Sequence, residues 1–269
     1  MSARPGTPAL AAEGLGFGYP GQAVGRGLDL AIEAETVTML LGPNGCGKTT
    51  LFRTLLGLLS PQAGRVLLRG RPLDQLPRRD VARDLAYVPQ AAEGTFPFPV
   101  LDVVVMGRAP HLGLFESPGA RDRARAEAAL DAVGLADLAG RPFTAISGGQ
   151  RQLVLVARAL AQEAPILVMD EPTANLDYGN QFRVLERARG LASAGRTVVV
   201  SSHNPDHAFR FADRAVLMRG GAVAAAGAPA QVLDAAALSA AYGIPIGLRD
   251  VDLGGGRVGR VCVPGVGPA

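Results

Sequence analysis

Apolar positions along the chain follow two patterns. The first is a short apolar run that ends abruptly at glycine or polar residues. Residues 36–41 (Thr-Val-Thr-Met-Leu-Leu), 166–169 (Ile-Leu-Val-Met) and 197–200 (Thr-Val-Val-Val) are of this kind. Such runs suit strands of a sheet covered on both faces. The second pattern is an apolar band at three- and four-residue spacing. Leu51, Phe52, Leu55, Leu56 and Leu59 form one, predicting a helix over 49–59 that Ser60-Pro61 stops.

The same criteria predict strands over 10–19, 28–32, 64–69 and 85–88, the last ending at Pro89-Gln90. Helices are expected over 100–107, 120–133, 149–160, 180–189 and 230–241. A late hairpin follows from 215–218 with Gly220-Gly221. A small terminal hairpin is expected within 251–263, around Gly254-Gly255-Gly256. Thr95-Phe96-Pro97-Phe98-Pro99 cannot be regular helix. Residues 1–8 read as a loose leader. Strands alternating with helices predict an α/β fold, with a mostly helical insertion over about 91–148.

Candidate chemistry sits where the apolar runs stop. The run over 36–41 leads into Gly42-Pro43-Asn44-Gly45-Cys46-Gly47-Lys48-Thr49-Thr50, which is G-x-x-x-x-G-K-[ST] between a predicted strand and a predicted helix. Its glycines let backbone N–H groups turn toward an anion. The helix start adds a favourable field. Lys48 is the only lysine among 27 basic residues. A compact ammonium on a flexible stem reaches β- and γ-phosphates where arginine's fixed fork does not. Thr49 offers a hydroxyl to Mg²⁺. The run over 166–169 closes on Asp170-Glu171, and a carboxylate at the end of a buried strand needs a cation or hydrogen-bond donors. Asp170 is the candidate Mg²⁺ partner through water. Glu171 is the candidate that orients and deprotonates an attacking water. Ser147-Gly148-Gly149-Gln150 opens a helix and offers a second anion-binding helix start. Taken alone, those residues read first as an ordinary capped helix start.

Composition narrows the classes. The formal charge is +3 and aromatics are 5% of the 269 residues. The arginines are scattered, the densest group being Arg65, Arg69, Arg71, Arg78, Arg79 and Arg83, read as a solvated face. No nucleic-acid partner is expected. The two cysteines, Cys46 and Cys262, make neither a disulfide framework nor a metal site, and fit a reducing cytoplasm. No apolar run resembles a signal peptide or a membrane span.

In their order, these motifs resemble the ATP-binding subunits of ABC transporters. Gly42 to Thr50 matches the Walker A loop, Ser147 to Gln150 the family signature, and residues 166–171 Walker B with its catalytic glutamate. Gln90 matches the Q-loop glutamine, which in the family senses the γ-phosphate and Mg²⁺. Asn175-Leu176-Asp177 matches the D-loop. His203 matches the switch histidine at the γ-phosphate, and Tyr19 the aromatic that stacks on adenine. Alone, Tyr19, Gln90 and His203 each have an ordinary structural reading, and His111 and His207 are left structural. The resemblance covers roughly residues 9–245, leaving 246–269 as a short extension, and implies a P-loop ATPase with an N-terminal β subdomain, using ATP and Mg²⁺. It further implies a head-to-tail dimer on the cytoplasmic face of the membrane, where integral permease subunits and, indirectly, a substrate-binding protein are its partners. Met106-Gly107-Arg108-Ala109-Pro110-His111 and residues 176–181 are similar to importers of ferric siderophore, haem and cobalamin. Molybdate or tungstate import is the alternative, and a non-transport ATPase a more distant one. Gln90 and residues 95–115 are expected to couple hydrolysis to the permease, with Arg108 and His111 at the contact.

Overall fold

The structure, a computed structural model, describes residues 7–90, 97–113, 115–256 and 258–266. In chain order the elements begin with β1 (Leu10–Tyr19), β2 (Gln22–Ile32), β3 (Val37–Leu41), α1 (Lys48–Leu55), β4 (Ala63–Leu68), β5 (Arg71–Pro72), α2 (Arg78–Asp84) and β6 (Leu85–Val88). Next come α3 (Val100–Val105), α4 (Ala120–Ala132), α5 (Gly148–Ala161), β7 (Ile166–Met169), α6 (Tyr178–Ser193) and β8 (Thr197–Ser202). The chain continues through α7 (Asp206–Phe211), β9 (Arg214–Arg219), β10 (Ala222–Gly227), α8 (Pro229–Val232) and α9 (Ala235–Tyr242). It ends in β11 (Ile246–Asp252) and β12 (Val258–Pro264). Two compact units form, one within Met1–Gln75 and Ala188–Ala269, the other within Leu76–Arg187.

In the first unit β2, β1, β4 and β5 make an antiparallel sheet in that order. A second sheet is centred on β3, which runs parallel to β8 on one side and to β9 on the other; β10 adds antiparallel to β9. Every residue of β3 and β8 is buried, which accounts for their unbroken apolar character. Leu51, Phe52 and Leu55 bring the apolar band of α1 into the core. In the second unit β6 runs parallel to β7, pairing Leu85 with Ile166 and Val88 with Met169. Packing of α3 and α4 on α5 supplies its helical layer.

Several predicted boundaries shift for local reasons. The helix expected over 49–59 ends at Leu55. Gly57 has φ 69°, Gly57 N donates to Thr54 O and Leu58 N to Arg53 O, a Schellman ending that the apolar spacing does not reveal. The helix over 100–107 gives way after Val105 to a 3₁₀ turn, Met106–His111, containing Pro110. The helix over 230–241 is two, divided where the Asp234 side chain caps α9 by accepting from Ala237 N. The arginine-rich stretch holds an unexpected helix, α2. Its Arg79 and Arg83 are not simply solvated: both donate to Pro110 O, at 3.2 and 3.0 Å. Of the expected features, residues 1–6 of the leader, residues 91–96 and 114 of the insertion, and residue 257 beside the terminal glycines lie outside the described residues.

Candidate functional site

In the first unit β3 delivers the chain into the loop over 42–50. Gly42 has φ 150°, and a Cβ there would stand 2.6 Å from Met218 O. Only glycine satisfies both conditions. The loop wraps the lysine: Lys48 is buried, and its Nζ donates to Gly42 O at 2.7 Å and Pro43 O at 3.1 Å. Asn44 and Gly45 are exposed, Pro43, Gly47 and Thr49 are half-buried, and Cys46 and Thr50 are buried. No side chain caps the start of α1, so its first turn presents backbone amides and a positive dipole end. Glycine-rich curvature, an uncapped helix start and one cation fit a phosphate chain.

Two further expected residues belong to this unit. Leu41 of β3 pairs with Ser202 of β8, so Gly42 and His203 leave the same end of adjacent parallel strands. That end is where open α/β sheets bind ligands. His203 is exposed. Tyr19 closes β1 and is 37% exposed, with its hydroxyl accepting from Arg53 Nη1 at 3.0 Å. Its ring is therefore held at the surface from α1.

The second unit gathers the acids and the glutamine. Asp170 N donates to Val88 O at 2.9 Å, extending the β6–β7 pairing, and the Asp170 side chain is fully buried. Gln90 Nε2 donates to Glu171 Oε2 at 3.4 Å. Glu171 is 7% exposed and has φ 44°. A non-glycine residue held in the left-handed region is strained, and such strain collects at sites where a side chain must be aimed. Ser147 and Gln150 form a capping box on α5: Gln150 N donates to Ser147 Oγ at 3.2 Å, and Ser147 N to Gln150 Oε1 at 2.9 Å. Gly148 is exposed. A Cβ on Gly149 would lie 3.3 Å from both Asn175 O and Leu176 Cδ2, so the start of α5 abuts the 175–177 loop. Asp177 caps α6, accepting from Asn180 N at 2.8 Å and Asn180 Nδ2 at 2.9 Å.

The strand–loop–helix arrangement around Lys48 is matched by the family model described as ABC transporter, over residues 26–174. The chain belongs to the ABC transporter family. It is an ATP-binding subunit, and its activity is ATP hydrolysis. Similar proteins include the hemin import ATP-binding protein HmuV of Streptomyces coelicolor, 42% identical over 91% of this chain and 86% of that protein. The cobalamin import ATP-binding protein BtuD of Halobacterium salinarum is 46% identical over 76% of this chain and 51% of that one. Among solved structures, a chain presented as a metal-chelate type ABC transporter in an inward-facing conformation superposes with a TM-score of 0.83. It is 34% identical and covers 95% of this chain and 97% of that one.

The structure changes two expectations about this ATPase subunit. Arg108, expected at a partner surface, is buried. It donates to Asp122 Oδ1 at 3.0 Å, Ala161 O at 2.7 Å and Glu163 Oε2 at 3.0 Å, and so joins the 3₁₀ turn to α4 and the end of α5. The Arg108 hydrogen bond, with the Gly119 amide, holds the Asp122 carboxyl below its usual range. His111 is half-buried, with Nε2 2.7 Å from Gln162 O. Among the described residues of this segment the exposed large apolar side chains are Phe98, Met106 and Phe115. Gln152 is the residue that sequence reasoning missed. It is buried on α5, and its Nε2 donates to Pro89 O at 3.1 Å, one residue before Gln90. A polar residue immediately before the apolar run Leu153-Val154-Leu155-Val156 was the available signal.

Proposed function

We propose that this subunit energises import of a metal chelate, namely ferric siderophore, haem or cobalamin, through a membrane permease. The observation that carries the reading is the agreement of the relatives named for hemin and cobalamin import with the metal-chelate type neighbour. Among the described residues no helix is long and apolar enough to cross a membrane. The spanning path is therefore assigned to partner subunits.

In this reading the residues singled out by the motifs act on bound nucleotide. Gly42 to Thr50 cradle the phosphates with backbone amides and Lys48, and the exposed ring of Tyr19 stacks on adenine. Thr49, Asp170 and Gln90 would hold Mg²⁺, which supplies charge neutralisation at the β- and γ-phosphate oxygens. Glu171, aimed by its backbone and touched by Gln90, takes a proton from the attacking water. His203 contacts the γ-phosphate. Ser147 to Gln150 and Asp177 act on nucleotide held by a second copy, in a head-to-tail dimer. Phosphoryl transfer is governed by positioning and electrostatics, so buried acids and a lysine fixed on loop carbonyls suffice as the chain's contribution.

The test is ATP hydrolysis by the complex with its permease and substrate-binding protein, challenged with ferric siderophore, haem, cobalamin or molybdate. Stimulation by one of the first three is expected. Stimulation by molybdate alone would transfer the protein to the oxyanion importers.

A further inference from the structure

The C-terminal hairpin reaches the turn that carries His203. β11 and β12 pair without interruption from Ile246–Pro264 to Asp252–Val258. Arg260 adds an ion pair across the strands, its Nε 2.8 Å from Asp250 Oδ1. The hairpin base is fastened to α9, where Ile246 N donates to Ser239 Oγ at 2.9 Å. From this base β12 lies against α7. There Cys262 N donates to Asp206 Oδ1 at 2.7 Å. Burial, then the nearby Asp206 carboxylate, push the Cys262 thiol up to about 12. The thiol is therefore neutral, and the tie to Asp206 is made by the Cys262 backbone amide.

Asp206 is three residues beyond His203, and the residues between are cross-linked by side chains. Asp206 N donates to Asn204 Oδ1 at 3.0 Å, and Asn204 N donates to Ser202 Oγ at 3.0 Å. Ser202 Oγ also lies 3.1 Å from His207 Nδ1, and Asn204 Nδ2 lies 3.4 Å from His207 Nε2. Both neighbours of His203 are thereby tied to the first turn of α7, and that turn is tied to β12.

We propose that the C-terminal hairpin braces the His203 turn, with Asp206 as the positioning residue. The inference rests on the reading of His203 as a γ-phosphate contact. An exposed side chain at a strand end keeps its aim only if the backbone on both sides is held. The brace supplies that hold from a segment beyond residues 26–174, the span of the family match. Its tie is a backbone amide to a carboxylate, so the sequence of β12 can vary while the geometry persists.

The experiment compares Asp206→Ala, Asp206→Asn and Cys262→Pro in the full chain. Proline at 262 removes the donating N–H from the strand edge that faces α7. Asp206→Ala and Cys262→Pro should each lower kcat for ATP about three- to tenfold, the scale of one hydrogen bond, with KM unchanged. Asp206→Asn keeps an acceptor oxygen and should retain most of the rate. In a His203→Ala background, Asp206→Ala should add nothing further. Amide hydrogen exchange over residues 202–211 should quicken in the Ala and Pro variants. If His203→Ala leaves hydrolysis intact, the reading of His203 fails and exchange alone judges the brace. Unchanged exchange in both variants, or a KM effect in place of a kcat effect, would overturn the brace.

Discussion

At the residue scale, side-chain identity and backbone conformation act together at Glu171. Any glutamate after a buried strand can take a proton, but this one is buried, held at φ 44° and in reach of Gln90. Glu171→Gln preserves shape and removes the basic oxygen. Turnover should fall about 10²–10⁴-fold while ATP still binds, as measured by single-turnover hydrolysis beside equilibrium nucleotide binding. Near-normal turnover would remove the assigned role. His207 supports a second prediction. Its Nε2 faces the Asn204 amide NH₂, so Nδ1 carries the proton toward Ser202 Oγ and the ring is neutral. Burial foremost, and then the charge of His203, hold its pKa below 6.5, with Asp206 opposing. The unfolded chain therefore binds the proton more readily than the folded one. This contribution to stability is complete above pH ~6.5 and is lost as pH falls below it. The drop in Tm between pH 7.5 and 5 should be smaller in His207→Gln than in the unaltered protein, and equal drops would count against the assignment.

At the scale of elements, the turn after α3 separates two roles that share one stretch of sequence. Arg108 points inward to Asp122, Ala161 O and Glu163, while Met106, two residues before it, is 46% exposed. Arg108→Ala should therefore destabilise the protein by about 2 kcal/mol or more, through lost packing and unpaired acceptors; denaturant unfolding reads this directly. Met106 and Phe98 are the positions for single cysteines. In a background lacking Cys46 and Cys262, they should crosslink to cytoplasmic loops of the permease in an ATP-dependent way. Crosslinks that form only at other surfaces would move the coupling contact elsewhere. The α5 start shows the same economy: Ser147 and Gln150 satisfy each other as a capping box, so one short motif both begins the helix and presents its amides.

At the scale of the whole molecule, one chain carries two helix starts that we propose bind anions, at Lys48 and at Ser147. A two-fold dimer with shared sites uses both. Mixing a Lys48→Ala chain with a Ser147→Arg chain would then place both lesions in one site of the mixed dimer and leave the other site intact. ATPase activity absent from either variant alone should reappear in the mixture. Continued inactivity, with mixed dimers demonstrated by native mass spectrometry, would exclude shared sites.

The glycine loop that leads into α1, the acids that follow β7 and the α/β character were legible because each rests on local chemistry. A buried strand is apolar on both faces, a loop that curls around an anion needs glycine, and Lys48 stands alone among arginines. The relation of Gln90 to Glu171, the burial of Arg108, the anchoring of Pro89 by Gln152 and the tie of Cys262 to Asp206 were not legible. Each joins residues 14 to 81 positions apart. Local periodicity has no term for such pairs. Strand pairing decided the first, since β6 and β7 run side by side and release Gln90 and Glu171 at a common end. Helix packing decided the next two. The last depends on a hairpin folding back on α7. Sequence alone determined which side chains could do chemistry, and tertiary structure decided which of them hold one another in place, because aim depends on neighbours that only the folded chain brings together.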